Sequence, residues 1–224
     1  MLHCIPNLLD AEALATIRAA LARADFVDGR ATAGFWARTV KRNEQLDRKT
    51  EGREALDRMV IEALDASVDF QRAAFPKTIN RPLFSRYREG MAYGPHVDDA
   101  LMGKGARRMR SDLSVTIFLS PPDDYDGGAL EIQSPYGAQT IKLPAGAAVV
   151  YPSQTLHRVA PVTRGERLAV VTWVQSRVRD ASRRELLHDL DRIRRHLHRA
   201  APEAEECALA FKSYANLLRL WAET

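Results

Sequence analysis

His96 and Asp98 stand two apart in Pro95-His96-Val97-Asp98-Asp99, and in an extended chain side chains two apart leave the same face. An imidazole and a carboxylate converging on one point are two of the three donors that hold a non-haem ferrous ion on one triangular face. The opposite positions stay open for oxygen and a co-substrate. The third donor has to be another imidazole, and His157 is the candidate, in Tyr151-Pro-Ser-Gln-Thr-Leu-His157-Arg-Val, which reads as the start of a β-hairpin. Ten residues on, Arg167 opens the apolar run Leu168 to Val174, expected to be a strand buried on both faces. An inward arginine there needs a partner, and the carboxylate of a small diacid would match the guanidinium fork in two hydrogen bonds.

The other titratable residues are weaker rivals. His3 falls in a first short strand, while His188, His196 and His198 fall among arginines near the C-terminus, and the last two do not share a helix face. Asp99 faces away from His96 if the strand continues through it. Trp173 shares a face with Arg167 by alternation and is expected beside the site.

Short strands separated by Gly, Pro, Asp and Ser clusters carry these residues: 83–88, 95–98, 112–119, 129–133, 138–143, 147–151, 155–160 and 167–175. Such a series predicts a sandwich or jelly roll. Before it come a strand within 1–9, a helix capped by Asp10 and running to about Ala24, turns at Asp28-Gly29 and Gly34, a strand over 35–40 and an amphipathic helix over 51–66. Thr163-Arg-Gly-Glu166 reads as the hairpin turn that brings His157 and Arg167 to one end, and Gly127-Gly128 as a structural turn. The basic stretch 103–110 is either a mobile lid over the cleft or a solvated loop. After Arg177 the period becomes helical. Ser182 and Glu185 form a capping box, Pro202 interrupts, and a second helix spans about 203–222, so that an antiparallel pair packs on the core or dimerises. The expected division is 1–77 as support, 78–177 as core and 178–224 as appendage.

Composition sets outer bounds. With 224 residues, 46% hydrophobic and 28% charged, the chain is an ordinary globular one. A net charge of +4 without aromatic-basic repeats argues against a dedicated nucleic-acid binder. Cys4 and Cys207 have no metal-like or redox-like spacing. No run reaches membrane-spanning length, and the expectation is a cytoplasmic enzyme.

The order Tyr87, Gly90, Tyr93, His96-x-Asp98, His157, Arg167 resembles the Fe(II)/2-oxoglutarate-dependent oxygenases of the prolyl-4-hydroxylase type. More narrowly, it is similar to the bacterial PKHD-type hydroxylases, a group associated with iron-uptake loci. Asp28-Gly-Arg-Ala-Thr-Ala-Gly34, Phe118-Leu-Ser-Pro-Pro, Tyr125-Asp-Gly-Gly128, Val159-Ala-Pro-Val-Thr-Arg-Gly165 and Asn216-Leu-Leu-Arg219 with Trp221-Ala222 extend the likeness over nearly the whole chain. The resemblance implies an α+β chain with a double-stranded β-helix (jelly-roll) core, N-terminal supporting helices and a C-terminal helical pair. It implies Fe(II) on His96, Asp98 and His157, the distal carboxylate of 2-oxoglutarate on Arg167, Tyr87 hydrogen-bonded to that co-substrate, Tyr93 shaping the cleft, and ascorbate as a reductant. The implied reaction hydroxylates a small molecule or peptide with molecular oxygen and turns 2-oxoglutarate into succinate and carbon dioxide. Related halogenases lack the carboxylate that Asp98 supplies, and the collagen-modifying branch has Lys where Arg167 stands. The alternatives are a non-catalytic iron or oxoglutarate sensor, signalling as a homo-oligomer through the C-terminal helices, and a same-fold nucleic-acid demethylase.

Overall fold

Every residue of the strand Leu113–Phe118 is buried, which requires a packed layer on each side of it. The computed structural model, which describes residues 2–224 apart from the side chain of Arg107, supplies both layers. Val115 and Ile117 point outward into a cluster with Ile17, Leu21, Val60, Leu64 and Phe70 of the N-terminal helices. Phe118 points inward with Tyr87, Leu130, Val149, Tyr151 and Val159, between two sheets. The larger sheet has eight strands. Arg167–Ser176 lies between Leu113–Phe118 and Leu83–Tyr87, and antiparallel pairing places Arg167 opposite Tyr87. The smaller sheet has five, with Leu130–Ser134, His157–Val159 and Ala92–His96 side by side. Two antiparallel sheets facing across one core form the jelly roll expected of the chain.

The N-terminal third does more than back this barrel. His3–Ile5 joins one end of the large sheet, while Phe26–Asp28 and Glu44–Leu46 extend the other. Lys41–Arg42 pairs with Ala92–His96 in the small sheet, so the chain crosses from one sheet to the other within 41–46. The first helix, Ala11–Ala22, is capped as expected by Asp10, whose carboxylate accepts from the Ala13 amide at 2.8 Å.

Several local expectations are corrected. Residues 37–40 form a short helix, not a strand, and the pairing chain begins at Lys41. Val162–Gly165 is no hairpin turn: it pairs as a strand with Tyr125–Gly127. The cap of the first C-terminal helix is Asp180, which accepts from the Arg183 amide at 2.8 Å and starts the helix Ala181–Ala200 one residue ahead of Ser182. That helix and Glu205–Trp221 pack back on the core, where Leu187, Tyr214, Leu217, Leu218 and Trp221 close over Phe75 and Val178.

Candidate active site

The strand carrying His96 ends there, so Val97 to Asp99 are coil and the same-face argument for Asp98 does not apply as stated. The chain nonetheless returns the carboxylate to the imidazole. Asp98 Oδ1 lies 3.9 Å from His96 Nε2, and Oδ2 lies 3.7 Å from His157 Nε2. His157 arrives on the neighbouring strand directly opposite His96. One donor atom from each of the three lies within 4.8 Å of the others, and among the described residues no other group of His, Cys, Asp and Glu does so.

Each imidazole is aimed by its own backbone. His96 Nδ1 is 2.8 Å from the Gly94 carbonyl and His157 Nδ1 is 2.9 Å from the Thr155 carbonyl. A carbonyl only accepts, so each Nδ1 carries the proton and each Nε2 presents a lone pair toward Asp98. Burial, then the neighbouring His157, holds His96 well below the ordinary histidine range, which keeps it neutral and able to donate to a cation. Asp98 is fixed in turn by the Ser114 hydroxyl, which donates to Oδ2 at 2.5 Å. Ser114 has one proton to give, so Ser153, 2.8 Å away, donates to Ser114. Two imidazole nitrogens and a carboxylate oxygen, each oriented by a second group, are a donor set that fits ferrous iron.

Arg167 lies deeper in the same cavity, 1% exposed, between the rings of Tyr87 and Phe118. Among the described residues no carboxylate pairs with it, and its Nε has no hydrogen-bond partner. Gly128 lets it sit there. A β-carbon at that position, whose φ is +59°, would meet Arg167 Cδ and Tyr125 Cε2 at 3.1 Å, so this glycine serves the site as well as the turn. Tyr87, in contact with the guanidinium, is 3% exposed, and burial pushes its hydroxyl up to about 12, so it is a neutral donor. Tyr93 stacks on His96 at 3.5 Å between ring centroids, and Trp173 lines the cavity with its indole nitrogen unpartnered.

The cavity, about 60 Å³, brings the three donors, Arg167 and Trp173 onto one lining. Its remaining wall was not legible in the sequence. Lys41, Asn43 and Gln45 line it from the crossing segment, and Thr32 from the short helical turn Gly29–Thr32 before it. Lys41, Asn43 and Gln45 are buried while Arg42 is exposed and Glu44 half-buried, a strand alternation with polar residues inside. Lys41 Nζ donates to Thr32 Oγ1 at 3.0 Å and lies 5.1 Å from the centre of the Tyr93 ring. Burial, only partly offset by Asp98 and Asp28, pulls its ammonium down to about 8. The 103–110 stretch is a small hairpin, Leu101–Met102 with Met109–Arg110, and Met102 reaches the cavity. Arg110 is not available to a ligand there because Asp112 and Glu223 hold it at 2.6 and 3.2 Å, while the Arg107 side chain lies outside the described residues.

A jelly roll with this donor set defines a 2OG-Fe(II) oxygenase, and the model of that superfamily matches residues 82–175. The PKHD-type hydroxylase C-terminal domain model matches 180–223. A PKHD-type hydroxylase of Synechococcus elongatus is 51% identical over 100% of both chains, and one of Burkholderia ambifaria 45% over the same shares. The crystal structure of a Pseudomonas putida prolyl-4-hydroxylase is similar in fold, with a TM-score of 0.52 at 20% identity, covering 79% of this chain and 92% of that one. The chain belongs to the PKHD-type hydroxylases. It is an Fe(II)- and 2-oxoglutarate-dependent oxygenase, and these relatives favour neither a sensor nor a nucleic-acid demethylase. No helix among the described residues is long and apolar enough to cross a membrane.

Proposed function

We propose that His96, Asp98 and His157 hold the iron, that Arg167 with Tyr87 binds the distal carboxylate of 2-oxoglutarate, and that the enzyme hydroxylates a small molecule or peptide entering past Met102. The observation that carries this reading is the pairing of two self-oriented Nε2 lone pairs and a braced carboxylate with a buried, carboxylate-free arginine in one cavity. Iron and 2-oxoglutarate, when bound, would supply the chemistry by which molecular oxygen gives one atom to a substrate C–H, as C–OH, and the other to 2-oxoglutarate, which leaves as succinate and carbon dioxide.

The protein's own work is placement. Nδ1 of each histidine keeps its proton on a backbone carbonyl, so metal binding needs neither a tautomer change nor a rotamer search. Arg167 offers a two-toothed contact that fixes both the position and the tilt of the diacid. Phe118, Leu130, Tyr151 and Val159 wall the cavity and its surroundings with apolar surface, which strengthens that ion pair and keeps water from the reacting carbon.

The test is an anaerobic titration of the protein with Fe(II) and 2-oxoglutarate, following the visible charge-transfer band, then admission of oxygen and assay of succinate. His96→Ala should give no band, and Arg167→Ala should form it only at much higher 2-oxoglutarate concentration. A wild-type protein with no band and no bound iron would overturn the reading. A cytoplasmic location is supported by two cysteines left unpaired. Association of copies through the C-terminal helices is supported by exposed Leu186, Ile193 and Leu220, and sedimentation would check it.

A further inference from the structure

Two cations face the cavity, from different sheets. Arg167 stands opposite Tyr87 in the large sheet, and Lys41 stands opposite Tyr93 in the small one. Arg167 is accounted for by the distal carboxylate of the co-substrate. Lys41 is not. Its side chain is 5% exposed, its one hydrogen bond goes to the neutral Thr32 hydroxyl, and among the described residues no carboxylate lies within ion-pair distance of its ammonium. An ammonium in that position carries a desolvation cost that an apolar side chain of the same length would avoid.

Its place relative to the metal donors narrows what it can serve. Lys41 Nζ lies over one ring, Tyr93, and that ring is stacked directly on His96. The ammonium and a proposed metal donor therefore share one aromatic neighbour. A second unused donor is found at this end. Trp173 lies opposite Ser114, the residue that braces Asp98, and its buried Nε1–H lines the cavity with no partner. The carboxylates lining the cavity are Asp98, held by Ser114, and Asp99, which is exposed. The metal end is thus rich in donors and poor in free acceptors, the complement of an oxyanion.

We propose that Lys41, with Trp173 Nε1 in the same cavity lining, forms a subsite for an anionic group on the primary substrate, a carboxylate or an oxyanion of similar size. The enzyme's substrates are then small acids, or peptides presenting an acidic group, held so that the carbon next to that group lies at the metal. Lys41 is a specificity-determining residue for the reaction. The proposal rests on the iron and 2-oxoglutarate sites described above.

The probe is benzoate, with benzamide as its neutral counterpart, titrated calorimetrically under argon into protein already loaded with Fe(II) and saturating 2-oxoglutarate, so that Arg167 is occupied. Loading is followed separately by the visible band. Wild type and Lys41→Arg should bind benzoate in preference to benzamide. Lys41→Met should bind it at least tenfold more weakly while keeping the band and a 2-oxoglutarate affinity within twofold of wild type, which also shows that the variant is folded. Three results overturn the subsite: no benzoate binding by loaded wild type, equal affinity in Lys41→Met, or a loss of 2-oxoglutarate affinity in its place, which would assign Lys41 to the co-substrate. In each of these the wild-type band leaves the proposed function standing. Absence of the band from wild type would instead remove the proposed function, and the subsite with it.

Discussion

The two walls of the cavity are built on opposite terms. On the wall formed by His96, Asp98 and His157 each polar group has its orienting partner: Gly94 and Thr155 for the imidazoles, Ser114 and then Ser153 for the carboxylate. On the wall formed by the crossing segment Gln45 accepts from the Thr32 hydroxyl at 2.6 Å, but its two polar neighbours lack such partners. Asn43 has neither amide atom satisfied, and Lys41 has a hydroxyl where an anion would fit. Buried polar groups are normally paired. A wall that is finished without ligand is built to hold something in one geometry, whereas an unfinished wall is completed by what enters.

Four substitutions would break or sharpen that contrast. The largest effect is expected on the finished wall, where Asp98→Ala removes the one anionic donor of three; it should abolish both the charge-transfer band and succinate formation, with iron content measured on the purified variant. Next is Arg167→Met, which removes a charged, two-bonded contact and should weaken 2-oxoglutarate by about 10–100-fold, read as a shift in the titration midpoint. Ser114→Ala leaves all three donors in place but frees Asp98 to rotate, and iron affinity should fall about tenfold. The smallest change has the opposite sign. Lys41→Met deletes an unpaired buried charge and should stabilise the unliganded protein by about 1 kcal/mol or somewhat more, seen as a raised melting temperature. If Lys41→Met instead destabilised the fold, the crossing segment would be as finished as its counterpart, with Thr32 and Tyr93 as sufficient partners.

The same contrast explains what could be read from the sequence. The barrel strands announce themselves because Val115, Ile117, Val150 and Val170 face the helices while Phe118 and Val149 face the opposite sheet, leaving continuous apolar runs cut by turn residues. His157 could be picked out because it opens such a strand. The crossing strand could not, since Lys41-Arg-Asn-Glu-Gln45 alternates one polar type with another, and period-two reading relies on an apolar inward face. Asp98 is expected beside His96 for a reason the backbone does not bear out: the strand stops at His96, and the coil beyond it brings the carboxylate round. The 37–40 helix and the pairing of Val162–Gly165 with Tyr125–Gly127 were hidden because segments of four residues carry too little pattern to compete with tertiary contacts. The support that Gly128 gives Arg167 has no sequence signature beyond the glycine itself, because it depends on two segments meeting.

The carbonyls of Gly94 and Thr155 carry one further consequence, for metal choice in the cell. A donor set oriented before any ion arrives does not reshape itself around one cation, so selection by rearrangement is not open to it. Imidazole and carboxylate donors bind cobalt, nickel and zinc at least as strongly as ferrous iron, following the general order of first-row affinities. On the proposed ligand set, occupancy by iron is then decided by which divalent ions are free where the chain folds. Enzyme produced under iron limitation should carry the competitor that is most abundant, and its lost activity should return on exchange of the metal without refolding of the protein.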